Sequence, residues 1–141
     1  MRRICVPLCL LAATTVHAAE TIRGPVEARV LRVIDGDSFV AEAHVWPGHV
    51  ITVNVRIRGI DAPELRSRCA SERIAAARSR TALEAMIGTG PVGMTNIGGG
   101  KFYGRVLADV TASDGRPVAE AMAANAFAKP YSGGRRAAFC D

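Results

Sequence analysis

The chain has 141 residues, room for one compact domain built around a single buried core. Lys and Arg number 18 against 13 Asp and Glu, a formal +5 at pH 7, which permits an anionic partner without demanding one. Every basic residue except Lys101 and Lys129 is arginine, whose planar fork suits phosphate, although GC-rich coding produces the same bias.

From the N-terminus, Arg2 and Arg3 precede an apolar run from Ile4 to Ala13, interrupted by Pro7. Val16 and Ala18 then stand as a small-x-small cleavage signal. The run is too short to span a bilayer comfortably. Met1–Ala18 therefore reads as a removable signal peptide, with 19–141 as the mature domain. The alternatives are an uncleaved anchor and, more weakly, a lipoprotein cysteine at Cys9. Removal lowers the charge by the two arginines and takes Cys5 and Cys9 with it. Export, to the periplasm or the medium, leaves Cys69 and Cys140, which in an oxidising compartment read as one disulfide. Zinc is disfavoured, because His44 and His49 lie far from both cysteines.

Val26–Ile34 reads as a strand ending at the tight-turn dipeptide Asp35-Gly36, with Ser38–Val45 as the return strand and Trp46-Pro47-Gly48 as the next turn. Val50–Ile60 alternates, with Ile51, Val53, Val55 and Ile57 on the apolar face and Thr52, Asn54, Arg56 and Arg58 on the polar one. Pro63, in Asp61-Ala62-Pro63-Glu64, ends that strand. Ser71–Ile87 reads as a helix with Ser71 as its N-cap. Val92–Ile97 and Gly104–Val110 are further strands. Ser113-Asp114-Gly115-Arg116 is a turn, Pro117 suits a first helical position and Val118–Asn125 forms a short helix. The tail, Pro130–Asp141, reads as a loop tied down by Cys140. Three antiparallel strands, a helix, two strands and a short helix make a mainly β (α+β) chain. That order matches a five-stranded oligonucleotide/oligosaccharide-binding (OB) barrel with an inserted helix.

Three clusters carry the chemistry: Asp35-Gly36-Asp37-Ser38, Arg56 through Asp61-Ala62-Pro63-Glu64, and Tyr103-Gly104-Arg105. Each alone is an ordinary turn or a solvated strand end. Together they supply what phosphodiester hydrolysis requires. Asp37 and Asp61 offer hard oxygen ligands to a divalent cation. Arg56 and Arg105 offer bidentate, charge-assisted bonds to phosphate oxygens. Glu64, three residues past Asp61, is placed to orient or deprotonate water. Tyr103 offers a ring or hydroxyl to phosphate or base.

These clusters, extended to Val33–Ser38, Arg56–Glu64 and Tyr103–Ala108, resemble the staphylococcal nuclease (thermonuclease) family, and the resemblance runs from about Val26 to Tyr131. It implies an OB barrel and calcium-dependent endonuclease action on DNA and RNA that leaves 3′-phosphates. It implies that Asp37, Asp61 and the Ala62 carbonyl hold calcium, Arg56 and Arg105 bind phosphate, and Glu64 is the general base or positions the water. Tyr131 is implied as a nucleotide contact. Magnesium suits the same oxygen donors. Ser38 and Ala62 stand where threonine is common in the family, and Phe102 stands where its familiar secreted member has lysine. The tail lacks the long final helix of that secreted member, a stabilising role that Cys69–Cys140 would take over. The expected chain is a monomer acting on DNA, RNA or both, without stable membrane association after cleavage. The rival reading is a catalytically inactive OB module that holds nucleic acid, whose mark is loss of these acidic and arginine positions.

Overall fold

The computed structural model describes residues 20–88 and 90–140; the expected signal peptide lies outside them. In chain order the elements are β1 (Thr21–Ile22), β2 (Val26–Asp35), β3 (Ser38–Trp46), β4 (His49–Ile57), β5 (Ile60–Asp61), α1 (Ala70–Ile87), β6 (Pro91–Gly99), β7 (Arg105–Thr111), α2 (Val118–Ala124) and β8 (Lys129–Pro130). Strands β2, β3 and β4 form an antiparallel meander. Strand β7 runs parallel to β4 and antiparallel to β6, and β6 returns to β2, so the five strands close into an OB-like barrel. Closure leaves no long edge among these five strands to recruit another chain.

Strand β2 shows how the alternating pattern is bent to make a barrel. Ala28, Val30 and Val33 point inward, while Leu31 and Arg32 are both exposed. The register shifts between Val30 and Arg32, so one extra residue bulges outward and Val33 regains the core face. Phe39, Val55, Ile57, Met94 and Val110 fill the interior with residues from the other strands. Helix α1 closes one end with a stripe of Ala76, Leu83 and Ile87, and α2 adds Val118 and Met122.

Several boundaries differ from the sequence reading. The Val50–Ile60 strand is two strands: β4 ends at Ile57, and Gly59 at φ +88° turns the chain before β5. Only residues with little steric cost at positive φ make that turn readily. Ile51, expected inside, is exposed because the β3–β4 hairpin extends beyond the barrel, where neither face is covered. The α1 N-cap is Cys69 rather than Ser71, and Pro117 is the N-cap of α2 rather than its first helical residue. The tail, expected to be loop, contributes β8, which pairs with β5 through Ile60–Pro130 and Asp61–Lys129.

Candidate active site

The turn between β2 and β3 is pressed against α1. A Cβ on Gly36 would lie 1.7 Å from the Ser79 hydroxyl and 2.9 Å from the Ala62 Cβ, so only glycine fits there. This contact sets Asp37 at the barrel end, beside the Ala62 loop. The Asp37 carboxylate is buried, with 3% of the residue exposed. Its Oδ2 accepts the Ala62 N–H at 2.8 Å, and its Oδ1 accepts the Ser38 hydroxyl at 2.7 Å. The Arg56 guanidinium completes the set 2.7 Å from Oδ1.

Arg56 reaches Asp37 because the β3–β4 register places it opposite Ser38. It also donates to Asp61 Oδ1 at 3.1 Å and to the Ile60 carbonyl at 3.3 Å, bridging two buried carboxylates. Arg105 arrives from the neighbouring strand, opposite Asn54, two residues before the partner of Arg56. The Arg105 guanidinium lies 5.7 Å from the Phe102 ring centroid, and no carboxylate among the described residues holds it. Burial and the nearby Asp35 carboxylate push the Asp37 carboxyl above its ordinary pKa, against the pull of Arg56, Ala62 N–H and Ser38. Burial also works against the Arg56 charge, yet Asp37 and Asp61 hold its guanidinium more firmly protonated than usual.

A cleft of about 530 Å³ gathers these groups. Asp37, Arg56, Asp61, Ala62, Glu64 and Arg105 all line it, so residues spread over most of the described chain meet at one barrel end. Tyr131 also lines it, its ring 6.0 Å from Arg56 Cζ, and its hydroxyl donates to the Gly134 carbonyl. Tyr103 does not join them. Its side chain projects fully into solvent from the turn before β7, and Phe102 forms the wall there. The chain turns outward at Tyr103 and Gly104 before β7 begins, so adjacency to Arg105 in sequence does not become adjacency in space.

Two further residues complete the site, and neither was singled out from the sequence. Arg136, in the tail, donates through Nε to Asp61 Oδ2 at 2.8 Å and through its NH2 group to the Ala62 carbonyl at 2.8 Å, and it also pairs with Glu64. Burial disfavours its charge, but Asp61, Glu64 and Glu72 together keep it strongly protonated. Glu72 stands three residues after the helix cap, where a capping box has its acid. It instead accepts the Glu64 N–H at 3.0 Å and so holds the Glu64 loop against the helix. Hydrogen bonds from Ser67 and from the Glu64 backbone lower its pKa.

Cys69 and Cys140 are joined as a disulfide with Cα atoms 6.1 Å apart, closing a sequence separation of 71. Both sulfurs lie within 4.8 Å of a Glu72 oxygen, an arrangement of potential metal ligands. The S–S bond leaves neither sulfur as a thiolate, and thiolate is the form that binds metal. This bond staples the tail to the loop that carries Glu64. The Arg136 signal was present in the sequence: Arg135 and Arg136 lie within five residues of a cysteine whose partner sits five residues after Glu64. No protein-family model and no curated protein matches the chain.

Proposed function

We propose that the chain is an exported, divalent-metal-dependent nuclease hydrolysing phosphodiester bonds of DNA, RNA or both, with calcium favoured through the resemblance to the staphylococcal nuclease family. One observation carries the reading: Asp37, Asp61 and the Ala62 carbonyl meet in a single cleft with Arg56, Arg105 and Glu64. Export is supported by the leader-like N-terminus and by a disulfide of the kind that oxidising compartments maintain.

The donor set fits a hard cation. It offers oxygen atoms only, two of its carboxylates are buried, and Arg136 already rests a cationic group on Asp61 Oδ2 and the Ala62 oxygen. Arg56 and Ser38 take up Asp37 Oδ1. Among the described residues, Asp37 Oδ2, with only the Ala62 N–H on it, and Asp61 Oδ1, with only Arg56 on it, each keep a second lone pair to give. A cation bound there supplies positive charge beside a phosphoryl oxygen. Arg105, without a carboxylate partner among the described residues, is ready to grip a non-bridging phosphate oxygen. Arg56, fixed by Asp37 and Asp61, approaches from the neighbouring strand with no reorganisation at the moment of reaction. Glu64, at the rim with its side chain 59% exposed, is accessible to water and placed to orient it or take its proton.

The test is incubation of the purified chain with end-labelled DNA and RNA oligonucleotides, in calcium, magnesium or chelator. Cutting should require a divalent ion. Asp37→Ala should remove ion-dependent cutting while circular dichroism still reports the barrel. Undiminished cutting in chelator would sink the metal assignment. A second reading, a barrel that holds nucleic acid without cutting it, is favoured by Arg136. Its guanidinium covers Asp61, Ala62 and Glu64 and offsets part of the negative charge of that wall. Retention of intact oligonucleotide under every ion condition would establish that reading instead.

A further inference from the structure

Arg136 takes three acceptors at once: Asp61 Oδ2, the Ala62 carbonyl and the Glu64 carboxylate. The first two are atoms on which the metal-ion reading depends, and the third belongs to the residue that would handle water. A guanidinium and a divalent cation cannot both fill that position. The approach of Arg136 is also built by the fold. Strand β8 pairs beside Asp61, and the tail then turns back at Gly133 and Gly134. Lys129 donates to the Ala138 carbonyl and lies 4.4 Å from the Phe139 ring centroid. The same ring lies 5.9 Å from Arg136 Cζ, and Cys140 is bonded to Cys69 one residue later.

We propose that the tail is a latch in which Arg136 serves as a built-in cation on Asp61, Ala62 and Glu64, so that divalent-ion binding competes with tail docking. The proposal rests on the metal-site reading above. Strand β8 anchors one end of the tail and the Cys69–Cys140 bond ties the other to the loop before α1, so Arg136 is held on a short intramolecular tether. A short tether of this kind corresponds to an effective concentration on the order of millimolar, which an incoming ion must overcome. Binding measured from outside is weakened by the fraction of molecules in which the latch is open. An open fraction of about one in ten raises the apparent Kd about tenfold. Free ion therefore sets the state of the site, and cleavage of the disulfide lowers the ion concentration needed to open it.

The test is calorimetric titration of the oxidised full chain with calcium chloride at low ionic strength, a readout that needs no catalysis. Arg136→Gln should tighten calcium binding at least about tenfold. Arg135→Gln, which removes the same charge from a residue outside these contacts, should change it by no more than about threefold, the scale of a screened surface charge. Dithiothreitol is oxidised to its cyclic disulfide as Cys69 and Cys140 become thiols. It should tighten binding to the unsubstituted chain and add nothing in Arg136→Gln. Equal affinities for the two variants would overturn the latch, and weaker calcium binding in Arg136→Gln would overturn it and make Arg136 a support for Asp61. Calcium binding that is measurable in the unsubstituted chain and unmoved by Arg136→Gln removes the latch alone. No calcium heat in any variant removes the metal-site reading and the latch together.

Discussion

Arg56→Ala and Arg105→Ala should impair cutting equally and stability very unequally. Arg56 lies 2.7 Å from Asp37 and 3.1 Å from Asp61, and its side chain is only 23% exposed. Removing one partner of a buried ion pair costs about 3–5 kcal/mol, because the other charge is left behind. Here each aspartate keeps other donors: Ala62 N–H and Ser38 for Asp37, Arg136 for Asp61. The expected cost falls to about 2–3 kcal/mol, just below that range. With a urea slope of about 1–3 kcal/mol per molar, the midpoint drops by roughly 0.7–3 M. Arg105→Ala loses a contact with the Phe102 ring and no carboxylate among the described residues, about 0.5–1 kcal/mol. On the proposed reading, in which both donors face charge that grows in the transition state, both variants should lower the single-turnover rate on a short oligonucleotide by about a hundred- to thousand-fold at saturating calcium. Lysine should rescue neither, because an ammonium cannot make the paired planar contact. Equal midpoint shifts in the two variants would refute the structural division of labour. A normal rate with weaker binding in Arg105→Lys would refute the catalytic one.

Reducing Cys69–Cys140 should cost about 4 kcal/mol, the loop-entropy value for its 71-residue separation, measured as the difference in urea unfolding with and without reductant; an unchanged midpoint would show the tail to be energetically idle. Gly36→Ala should destabilise by about 1–3 kcal/mol, because its methyl group would meet the Ser79 hydroxyl and Ala62, and Gly36→Ala with Ser79→Ala should recover part of that loss in the same assay. The folded-state pKa of Glu72 lies below its ordinary value of 4.5, so its stabilising contribution is full above that pH and is lost as pH falls through the folded value. Unfolding free energy measured from pH 7 downward should therefore fall less steeply in Glu72→Gln than in the unsubstituted chain; parallel curves would remove Glu72 from the acid limb.

Much of the barrel is legible because its instructions are local. Alternation in β4 and the Asp35-Gly36 turn depend on near neighbours, so short-range pattern carries them. The helix after the third barrel strand is equally local, and the OB class follows from the order of elements. The motif residues Asp37, Arg56, Asp61, Glu64 and Arg105 are also visible, since each sits at a strand end or turn where chemistry-bearing residues stand out from an apolar pattern. Which of them meet is another matter. The parallel β4–β7 pairing that brings Arg105 beside Arg56 joins residues about fifty positions apart. The bulge at Leu31 and the solvent on both sides of Ile51 follow from barrel closure and its limits, which alternation cannot register. Tyr103 illustrates the converse: beside Arg105 in sequence, it points away because one turn reverses its direction. Arg136 and Glu72 enter the site only through the packing of the tail and α1 onto the Asp61–Glu64 loop. Side-chain type and local backbone preference belong to the sequence itself, whereas the partners of a buried charge are set by chain segments that only the closed barrel and its disulfide bring together.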